Sequence, residues 1–300
     1  MKKVSMGIFF CLLLVPTLSV VCQDSSVGEN FIFHGEYPLN DTKTGSITLL
    51  GTMHISSQKG GVISSRLEGI LKNMDRLYLE VDFEELKNPM NMAQLAPLYI
   101  WLPEVLSLTD VLGEQYEIIN ARFLELGENL VLYDKIQPWY LGLLYVSKLG
   151  EKAGISEKGS EEWFLEWGKA NGRKWDGLES VETQFKALSM GTYDEQVTEL
   201  MGTLEGTLEE TQAELEALEK AWLTGDEERL NNMINVQLRE SVSPEKFKAL
   251  LDERNKAWVK TLMLDLKAGK DVFAAVGSGH LVGPTSVIKL LEKEGVVWKP

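Results

Sequence analysis

The fold of this chain is decided by residues 46–54, which have the sequence SITLLGTMH. Their apolar run ends at Gly51, a pattern that predicts a buried strand. Apolar residues then recur at helical spacing between positions 63 and 74, and a second apolar run at 77–81 predicts another strand. Strand, helix and strand in this order predict a βαβ unit, whose right-handed crossover would make the two strands parallel neighbours.

Downstream of this unit the sequence becomes helical. A third strand is predicted at 129–133, and from about 138 to 268 apolar residues recur every three or four positions. Within this middle part, residues 200–222 predict one long amphipathic helix, weakened in its first half by Gly202 and Gly206. We interpret the whole range 138–268 as a large helical insertion.

Strand character returns near the end of the chain. Residues 272–276 are apolar and end at Gly277, Pro284 opens a final helix, and 296–298 predict a short strand. Because strands from both chain ends must share a sheet to bury their apolar runs, the sequence predicts an α/β (α+β) fold. Its centre is a discontinuous mixed sheet from both chain ends, with flanking helices and the helical insertion. We expect this domain to occupy residues 45–300.

The start of the chain predicts a targeting segment. Residues 1–22 contain two lysines and then an apolar stretch that turns polar at Gln23, which is typical of a signal peptide. We therefore expect an exported protein, periplasmic or secreted, with no membrane span after cleavage. Cys22 leaves a lipid anchor open, and an uncleaved membrane anchor is a further alternative. Residues 23–44 are expected to form an N-terminal extension and a leading strand.

Composition excludes several classes of function. The 300 residues include 45 acidic and 30 basic side chains, a net charge of −15 that repels a nucleic acid backbone. We therefore expect no nucleic acid partner. The two cysteines, Cys11 and Cys22, lie in the predicted signal segment, so thiol nucleophiles and thiolate metal sites are not expected in the exported body.

Two histidines follow predicted strands in the same local arrangement. They occur as Gly51-x-x-His54 and Gly277-x-x-His280. Because glycine lets the chain turn sharply, both imidazoles should reach the carboxyl edge of the sheet, where open α/β sheets bind ligands. Glu80, at the end of the second predicted strand, adds a carboxylate that a cation would balance. Two imidazoles and one carboxylate predict a site for divalent manganese, cobalt, iron or zinc.

Structural roles remain open for the histidines and for two residues of a late helix. His54 and His280 could be hydrogen-bonded core residues, which is also our expectation for His34. Arg254 and Asn255 lie in a predicted helix and could belong to an ordinary solvated face. None of these residues identifies a site alone, and only their combination does so.

The carboxylates also have alternative roles. Glu80 could pair with Arg66 or Arg76 on the surface of an edge strand. Asp82 shares a strand face with Glu80 because the two are separated by two positions. Asp82 could therefore bind a metal, support a metal ligand or cap a helix.

The order of these motifs resembles the TraB/GumN family, which is related to the Tiki metal-dependent proteases. The resemblance covers about residues 45–298. The matching pieces are Gly51 to His54, Glu80 to Asp82, Pro138-Trp139, Gly177-Leu178-Glu179 with Gln184, Gly225-Asp226, Glu253-Arg254-Asn255, and Val276 to Gly283. The resemblance implies a sheet with paired halves, each contributing one Gly-x-x-His histidine, and a cleft that holds a divalent metal.

The resemblance also implies a role for each matched residue. The metal ligands would be His54, Glu80 and His280, with manganese or cobalt favoured and zinc or iron as alternatives. The catalytic residues would be Glu80, Glu179, Arg254 and Asn255. The residues that shape the motifs or support the ligands would be Gly51, Asp82 and Gly277.

The resulting hypothesis is a metal-dependent hydrolase that acts on peptide or amide bonds outside the cytoplasm, with a peptide or small-molecule substrate. Asp82 or Glu179 would orient a ligand or serve as general base, and Arg254 would stabilise an oxyanion or grip a substrate carboxylate. Two alternatives come from other classes. One is a non-catalytic protein that holds haem, a metal or a small ligand in the same cleft, and the other is an interaction module built on the predicted helix at 200–222.

Overall fold

The computed structural model describes residues 31–40, 42–53, 64–152 and 160–299, and every structural statement below concerns these ranges. The predicted signal peptide at 1–22 and the predicted metal ligand His54 lie outside them. Within these ranges, no helix is long and apolar enough to cross a lipid bilayer.

The centre of the fold is a six-stranded mixed sheet. Its strands are β1 (Ile32–Asn40), β2 (Lys43–Thr52), β3 (Arg76–Val81), β4 (Asp176–Glu179), β5 (Asp271–Gly277) and β6 (Val297–Trp298). They lie in the spatial order β4-β3-β5-β2-β1-β6. The four strands from β4 to β2 are parallel, whereas β1 is antiparallel to both β2 and β6. The predicted α/β fold with a discontinuous mixed sheet is therefore confirmed.

Helices surround this sheet and fill the chain between its two halves. They are α1 (Ser65–Asn73), α2 (Phe83–Lys87), α3 (Pro89–Tyr99), α4 (Leu108–Leu112), α5 (Tyr116–Glu125), α6 (Pro138–Lys152), α7 (Ser160–Ala170), α8 (Val181–Leu188), α9 (Tyr193–Thr203), α10 (Leu208–Thr224), α11 (Glu227–Asn231), α12 (Gln237–Ser241), α13 (Pro244–Phe247), α14 (Glu253–Lys267) and α15 (Val287–Lys293). Two π-helical turns connect some of them, Asn232–Val236 between α11 and α12 and Lys248–Asp252 between α13 and α14.

The prediction that β2 and β3 are neighbours is wrong. They run parallel, but β5 lies between them and pairs with both, with Leu49 opposite Ala274 and Leu77 opposite Phe273. The crossover rule sets the handedness of a connection and leaves open whether another strand is inserted. The β5 residues from 272 to 277 are all buried, which suits the central position.

The third predicted strand, at 129–133, is also wrong. Residues Leu130–Tyr133 form a 3₁₀ turn, which begins where the Asn129 side chain accepts a hydrogen bond from the Val131 amide. Leu130 is buried, but Val131 and Leu132 are 68% and 76% exposed. An apolar run without sheet partners therefore follows its local turn chemistry.

The predicted long helix at 200–222 is divided into α9 and α10. The chain turns at Gly206, whose φ of 140° lies in a region that favours glycine. Thr207 then begins α10 with a capping box, in which its side chain accepts from the Glu210 amide and Glu210 accepts from the Thr207 amide. This start signal lies inside an apolar pattern that continues across the break.

Two further boundaries differ from the predictions. The short strand β4 lies inside the range 138–268, which the sequence predicts as helical, and it joins the sheet beside β3. The last helix begins at Val287 after a Ser286 cap, three residues beyond Pro284. By contrast, β5 and β6 lie where the sequence predicts strands.

Helix α14 is fixed onto the sheet by a buried carboxylate. Asp265, 7% exposed, accepts a hydrogen bond of 2.7 Å from the Tyr78 hydroxyl and contacts Lys270 at 2.6 Å and Arg76 at 3.4 Å. Burial alone would raise the pKa of Asp265, but the bonds from Lys270 and Tyr78 and the charge of Arg76 lower it overall. The ionised carboxylate therefore stabilises the packing of α14 against β3.

Replacing Asp265 by asparagine is expected to lower the free energy of unfolding at pH 7 by about 1–2 kcal/mol, because it removes hydrogen bonds to a charged group. The lowered pKa means that this contribution is present above the unfolded pKa of about 4 and disappears as the pH falls through the folded value. Urea denaturation at pH 7 and pH 3 measures both effects. Asp176→Asn is the control, since this carboxylate also faces Arg76 but is one-third exposed. An equal loss in the two variants would contradict the prediction.

Candidate functional site

A buried glutamate at the carboxyl end of β3 is the centre of the candidate site. Glu80 is 5% exposed, and its Oε1 accepts a hydrogen bond of 2.7 Å from the Gly277 amide at the end of β5. Its Oε2 accepts from Arg254 Nη2 at 2.7 Å and from Gln184 Nε2 at 3.2 Å. Glu80 therefore joins two central strands to helices α8 and α14.

Arg254 lies between two carboxylates. Its guanidinium contacts Glu80 Oε2 at 2.7 Å and Glu179 Oε1 at 2.6 Å, and all three side chains are at most 6% exposed. Burial would lower the pKa of Arg254, but the charges of Glu179 and Glu80 raise it overall. Arg254 is therefore a permanent cation at this position.

All three nitrogens of the Arg254 guanidinium contact groups of the same chain. Nε donates to Glu179 Oε1 at 2.8 Å, Nη2 donates to Glu80 Oε2, and Nη1 lies 3.0 Å from the Leu250 carbonyl and 3.2 Å from His280 Nε2. In this structure the guanidinium holds Glu80 and Glu179 in place. Its predicted contact with an oxyanion or a substrate carboxylate stays a prediction.

His280 is buried next to this ion pair, 2% exposed, and its tautomer follows from its neighbours. Its Nδ1 lies 2.6 Å from Asn255 Oδ1, while Asn255 Nδ2 donates to the Thr285 carbonyl at 2.9 Å. Because that second bond directs Oδ1 toward the ring, Nδ1 carries the proton. The lone pair is then on Nε2, which faces Arg254 and lies 3.9 Å from Glu80 Oε1.

With both carboxylates ionised, the described side chains of this cluster sum to a net negative charge. Glu80 and Glu179 are two carboxylates, Arg254 is one cation, and the imidazole is neutral in the tautomer just described. Burial raises the pKa of Glu179, although Arg254 acts in the opposite direction. Three buried oxygens also lack a hydrogen-bond partner among the described residues: Glu179 Oε2, Gln184 Oε1 and Thr52 Oγ1. A proton or a cation would supply what these atoms lack.

Part of the predicted metal site can be compared with this geometry. Among the described residues, no three His, Cys, Asp or Glu side chains converge on a common point. Glu80 Oε1 and His280 Nε2 are 3.9 Å apart, and two ligand bonds of about 2.0–2.2 Å span up to about 4 Å. This separation would allow both atoms to contact one cation, which would take the place of the Gly277 amide contact to Oε1 and the 3.2 Å contact between Arg254 Nη1 and His280 Nε2.

Comparison with known proteins places these motifs in a family. The model of the TraB/PrgY/gumN family matches residues 39–300. The chain belongs to this family. An uncharacterized protein of Treponema pallidum (strain Nichols) is 25% identical over 304 residues, which cover 95% of this chain and 90% of the relative. Uncharacterized protein YbaP of Escherichia coli (strain K12) is 26% identical over 247 residues, covering 81% and 86%. No solved structure matches.

The structure decides against two of the structural roles that the sequence left open for the TraB/PrgY/gumN motifs. These roles are a surface ion pair for Glu80 and a solvated helix face for Arg254 and Asn255. Strand β3 is internal, and Glu80 pairs with Arg254 rather than with Arg66 or Arg76. Arg254 and Asn255 are each 2% exposed, so neither lies on a solvated face. The motif residues Glu80, Arg254 and Asn255 are therefore also the residues that form the buried cluster.

The remaining motif residues have structural contacts. Asp82 caps α2 by accepting a hydrogen bond of 2.9 Å from the Glu84 amide. A Cβ atom at Gly51 would lie 2.1 Å from the Phe31 ring, so this glycine permits close packing. Gly277 ends β5 and donates its amide to Glu80. The third histidine, His34, contacts Thr48 Oγ1 through Nδ1 at 3.0 Å, outside this cluster.

Two residues of this TraB/PrgY/gumN chain reach the motifs without having been predicted to do so. Trp222 Nε1 donates to the Gly51 carbonyl at 2.7 Å, and Asn235 Nδ2 donates to the Gly279 and Val282 carbonyls at 3.0 Å. Trp222 has the spacing of an ordinary apolar helix residue. Asn235 shares its helical face with Asn231, Asn232 and Arg239, so the sequence gives no signal that its side chain is buried.

Proposed function

We propose that this protein is a metal-dependent hydrolase that acts on peptide or amide bonds outside the cytoplasm. The observation that carries the proposal is the buried, net-negative cluster in which Glu80 Oε1 and His280 Nε2 lie 3.9 Å apart. These two residues would hold a divalent metal, manganese or cobalt before zinc or iron, and His54 is the proposed third ligand. A metal bound there supplies Lewis-acid polarisation of a scissile carbonyl.

The residues around the cluster have separate tasks in this proposal. Asn255 keeps His280 in the tautomer that has its lone pair on Nε2, because it accepts the Nδ1 proton, and a metal at Nε2 would replace the 3.2 Å contact with Arg254 Nη1. Arg254 holds both carboxylates at fixed positions. Glu179 is the group that takes up or releases a proton, since burial raises its pKa against the opposing effects of Arg254 and the Trp258 side chain.

Location and substrate form the remaining part of the proposal. The predicted signal peptide at residues 1–22 supports export to the periplasm or the medium, and Cys22 is a candidate for lipid attachment. The substrate is a peptide or another small molecule with an amide bond. The negative charge of the chain argues against nucleic acid.

The metal is tested before the reaction. We expect His280→Ala and Glu80→Gln each to weaken binding of Mn²⁺ or Co²⁺ by more than the roughly 10–100-fold that follows loss of a residue that only orients a ligand. Calorimetric titration and elemental analysis of the purified full chain measure this. His34→Ala is the matched control, because His34 contacts Thr48 away from the cluster and its loss should leave metal affinity unchanged.

The reaction is tested on the same preparations. A metallated protein that cleaves members of a peptide library, with no cleavage after chelation or in His280→Ala, supports the hydrolase. Full metal occupancy without cleavage of peptides, esters or amides would instead indicate a protein that binds a metal or small ligand. Metal affinity that is unchanged in both His280→Ala and Glu80→Gln would remove the proposed site.

A further inference from the structure

The loop that carries His280 is buried along its length. It follows β5 as a 3₁₀ turn, Ser278–His280, and continues through Leu281 and Val282, with exposed fractions between 0% and 3%. Buried backbone carbonyls require hydrogen-bond donors. The carbonyl of residue 278 is bonded within the loop by the Leu281 amide, whereas those of residues 279 and 282 accept from outside it.

The donor for both of these carbonyls is one side chain from the helical middle of the protein. Asn235 Nδ2 lies 3.0 Å from the Gly279 carbonyl, 3.0 Å from the Val282 carbonyl and 3.3 Å from Asn231 Oδ1. Three oxygens around this atom identify it as the amide nitrogen. The two bonded carbonyls lie on either side of His280 in the sequence, so one amide group fixes the backbone on both sides of the imidazole.

The local backbone brings Asn235 to this loop. Asn235 is 9% exposed and belongs to the π-helical turn Asn232–Val236, a rare geometry that is often found at functional sites. A Cβ atom at Gly279 would lie 2.9 Å from Ile234 Cγ2 and 3.2 Å from Asn235 Oδ1. Because Gly279 has no side chain, the π turn can pack closely against the loop.

The other end of the loop, at Gly283, also packs closely against this helical segment. Gly283 has a φ of 85°, and a Cβ atom there would lie 2.6 Å from Asn231 Oδ1. Asn231 and Asn235 are one helical turn apart and meet the loop together. The close approach at both glycines shows that loop and turn are fitted to each other, beyond a single hydrogen bond.

We infer that Asn235 is a positioning residue for His280. It holds the loop backbone so that the ring keeps its 2.6 Å contact to Asn255 and directs Nε2 toward Glu80. The importance of this contact for turnover rests on the proposed function, but the positioning itself does not. Through Asn235, the helical middle of the chain acts directly on a residue of the sheet edge.

The test changes the amide and observes the ring of His280. Asn235→Asp keeps the shape but points a carboxylate oxygen at three other oxygens, and Asn235→Ala removes the donor. Asn232→Asp and Asn232→Ala are matched controls, because Asn232 lies in the same π turn and is exposed. Imidazole ¹⁵N spectra of the full chain, with His280 assigned from a His280→Gln variant, report the tautomer without any assay of activity.

We expect a single Nδ1-protonated His280 in the unsubstituted protein and in both Asn232 variants. The Asn235 variants should show mixed tautomers or exchange broadening of His280, with the His34 signals unchanged. If Mn²⁺ binds the unsubstituted protein, its affinity should fall at least about 10-fold in Asn235→Asp. Failure of Mn²⁺ to bind would count against the proposed function and leave the tautomer result standing.

Two results would overturn the inference. One is a folded Asn235→Asp protein whose His280 spectrum matches that of the unsubstituted protein, because Asn235 would then contribute to stability alone. If Asn235→Asp does not fold, Asn231→Ala replaces it, since it removes only the 3.3 Å contact and the oxygen facing Gly283. That variant should shift the His280 signals in the same direction by a smaller amount, and an unchanged spectrum is the second overturning result.

Discussion

Replacing Arg254 by methionine is expected to lower the free energy of unfolding by about 3–5 kcal/mol, because removal of one partner leaves a buried charge uncompensated. Here two carboxylates lose their shared cation, since Glu80 and Glu179 lie 2.7 and 2.6 Å from the guanidinium. Urea denaturation followed by circular dichroism measures the loss. Lys256→Met is the control, because Lys256 is exposed on the same helix, and it should change stability by less than about 0.5 kcal/mol.

Charge rather than volume should account for this loss. Adding Glu179→Gln to Arg254→Met removes one uncompensated carboxylate and should recover part of the stability. Arg254→Lys should still lose much of it, because an ammonium group cannot make the forked contacts to two carboxylates and a carbonyl. If Arg254→Met with and without Glu179→Gln are equally unstable, electrostatic compensation is not the cause.

The pH dependence of Arg254→Met has a definite sign. The folded-state pKa of Glu179 is already raised by burial, and without the cation it rises further above the unfolded value of about 4.3, while the buried Glu80 carboxylate also loses the charge that balances it. A raised carboxyl pKa favours the folded state at low pH and opposes it once the group ionises. The stability difference from the unsubstituted protein should therefore shrink as the pH falls from 7 toward 4, and a difference that is constant over this range would contradict the explanation.

The central strands of the sheet could be predicted from the sequence because their apolar runs have no other place in the fold, whereas the four-residue strand β4 could not. The run at 272–276 is apolar on both sides, and the run at 46–50 is apolar apart from Ser46 and Thr48, so burying both requires that they meet in one sheet. The order of the strands in the sheet depends on how their side chains pack in the assembled core. The insertion of β5 between β2 and β3 therefore could not be read from periodicity.

The candidate site, too, could be predicted from the sequence only in part. Glu80 and His280 were expected to meet because Glu80 lies at the carboxyl end of β3 and His280 follows β5. The carboxyl ends of parallel strands lie at the same edge of the sheet. The central place of Arg254 depends on how α14 crosses the sheet and on the π turn before it, which a single sequence does not indicate. The role of His54 as a metal ligand stays a prediction.

A second buried ion pair, formed by residues outside these motifs, should produce losses of similar size. Lys246 Nζ in α13 lies 2.6 Å from Glu199 Oε2 in α9, and their side chains are 1% and 4% exposed. Burial lowers the pKa of Lys246 and raises that of Glu199, and each partner opposes this shift in the other. Glu199→Gln or Lys246→Met should each cost about 3–5 kcal/mol in the free energy of unfolding.

The two single variants of this pair should respond to pH in opposite directions. In Glu199→Gln the ammonium keeps only the weaker effect of the Glu195 charge, so its folded-state pKa is lowered further and stability is regained as the pH rises from 7 toward 10. In Lys246→Met the carboxylate is left alone, and stability is regained as the pH falls. A common direction in both variants would show that lost packing, rather than an unpaired charge, causes the damage.

The double variant Lys246→Met/Glu199→Leu separates the pair from its surroundings. Because a buried ion pair gains its Coulomb energy at a large desolvation cost, an apolar replacement of both partners should fall within about 1–2 kcal/mol of the original stability. Lys289→Met is the control, since the Lys289–Glu292 pair is exposed and should contribute less than about 1 kcal/mol. If the double variant is as unstable as either single variant, the ion pair stabilises the packing of α13 against α9 by more than the free energy needed to desolvate its two charges.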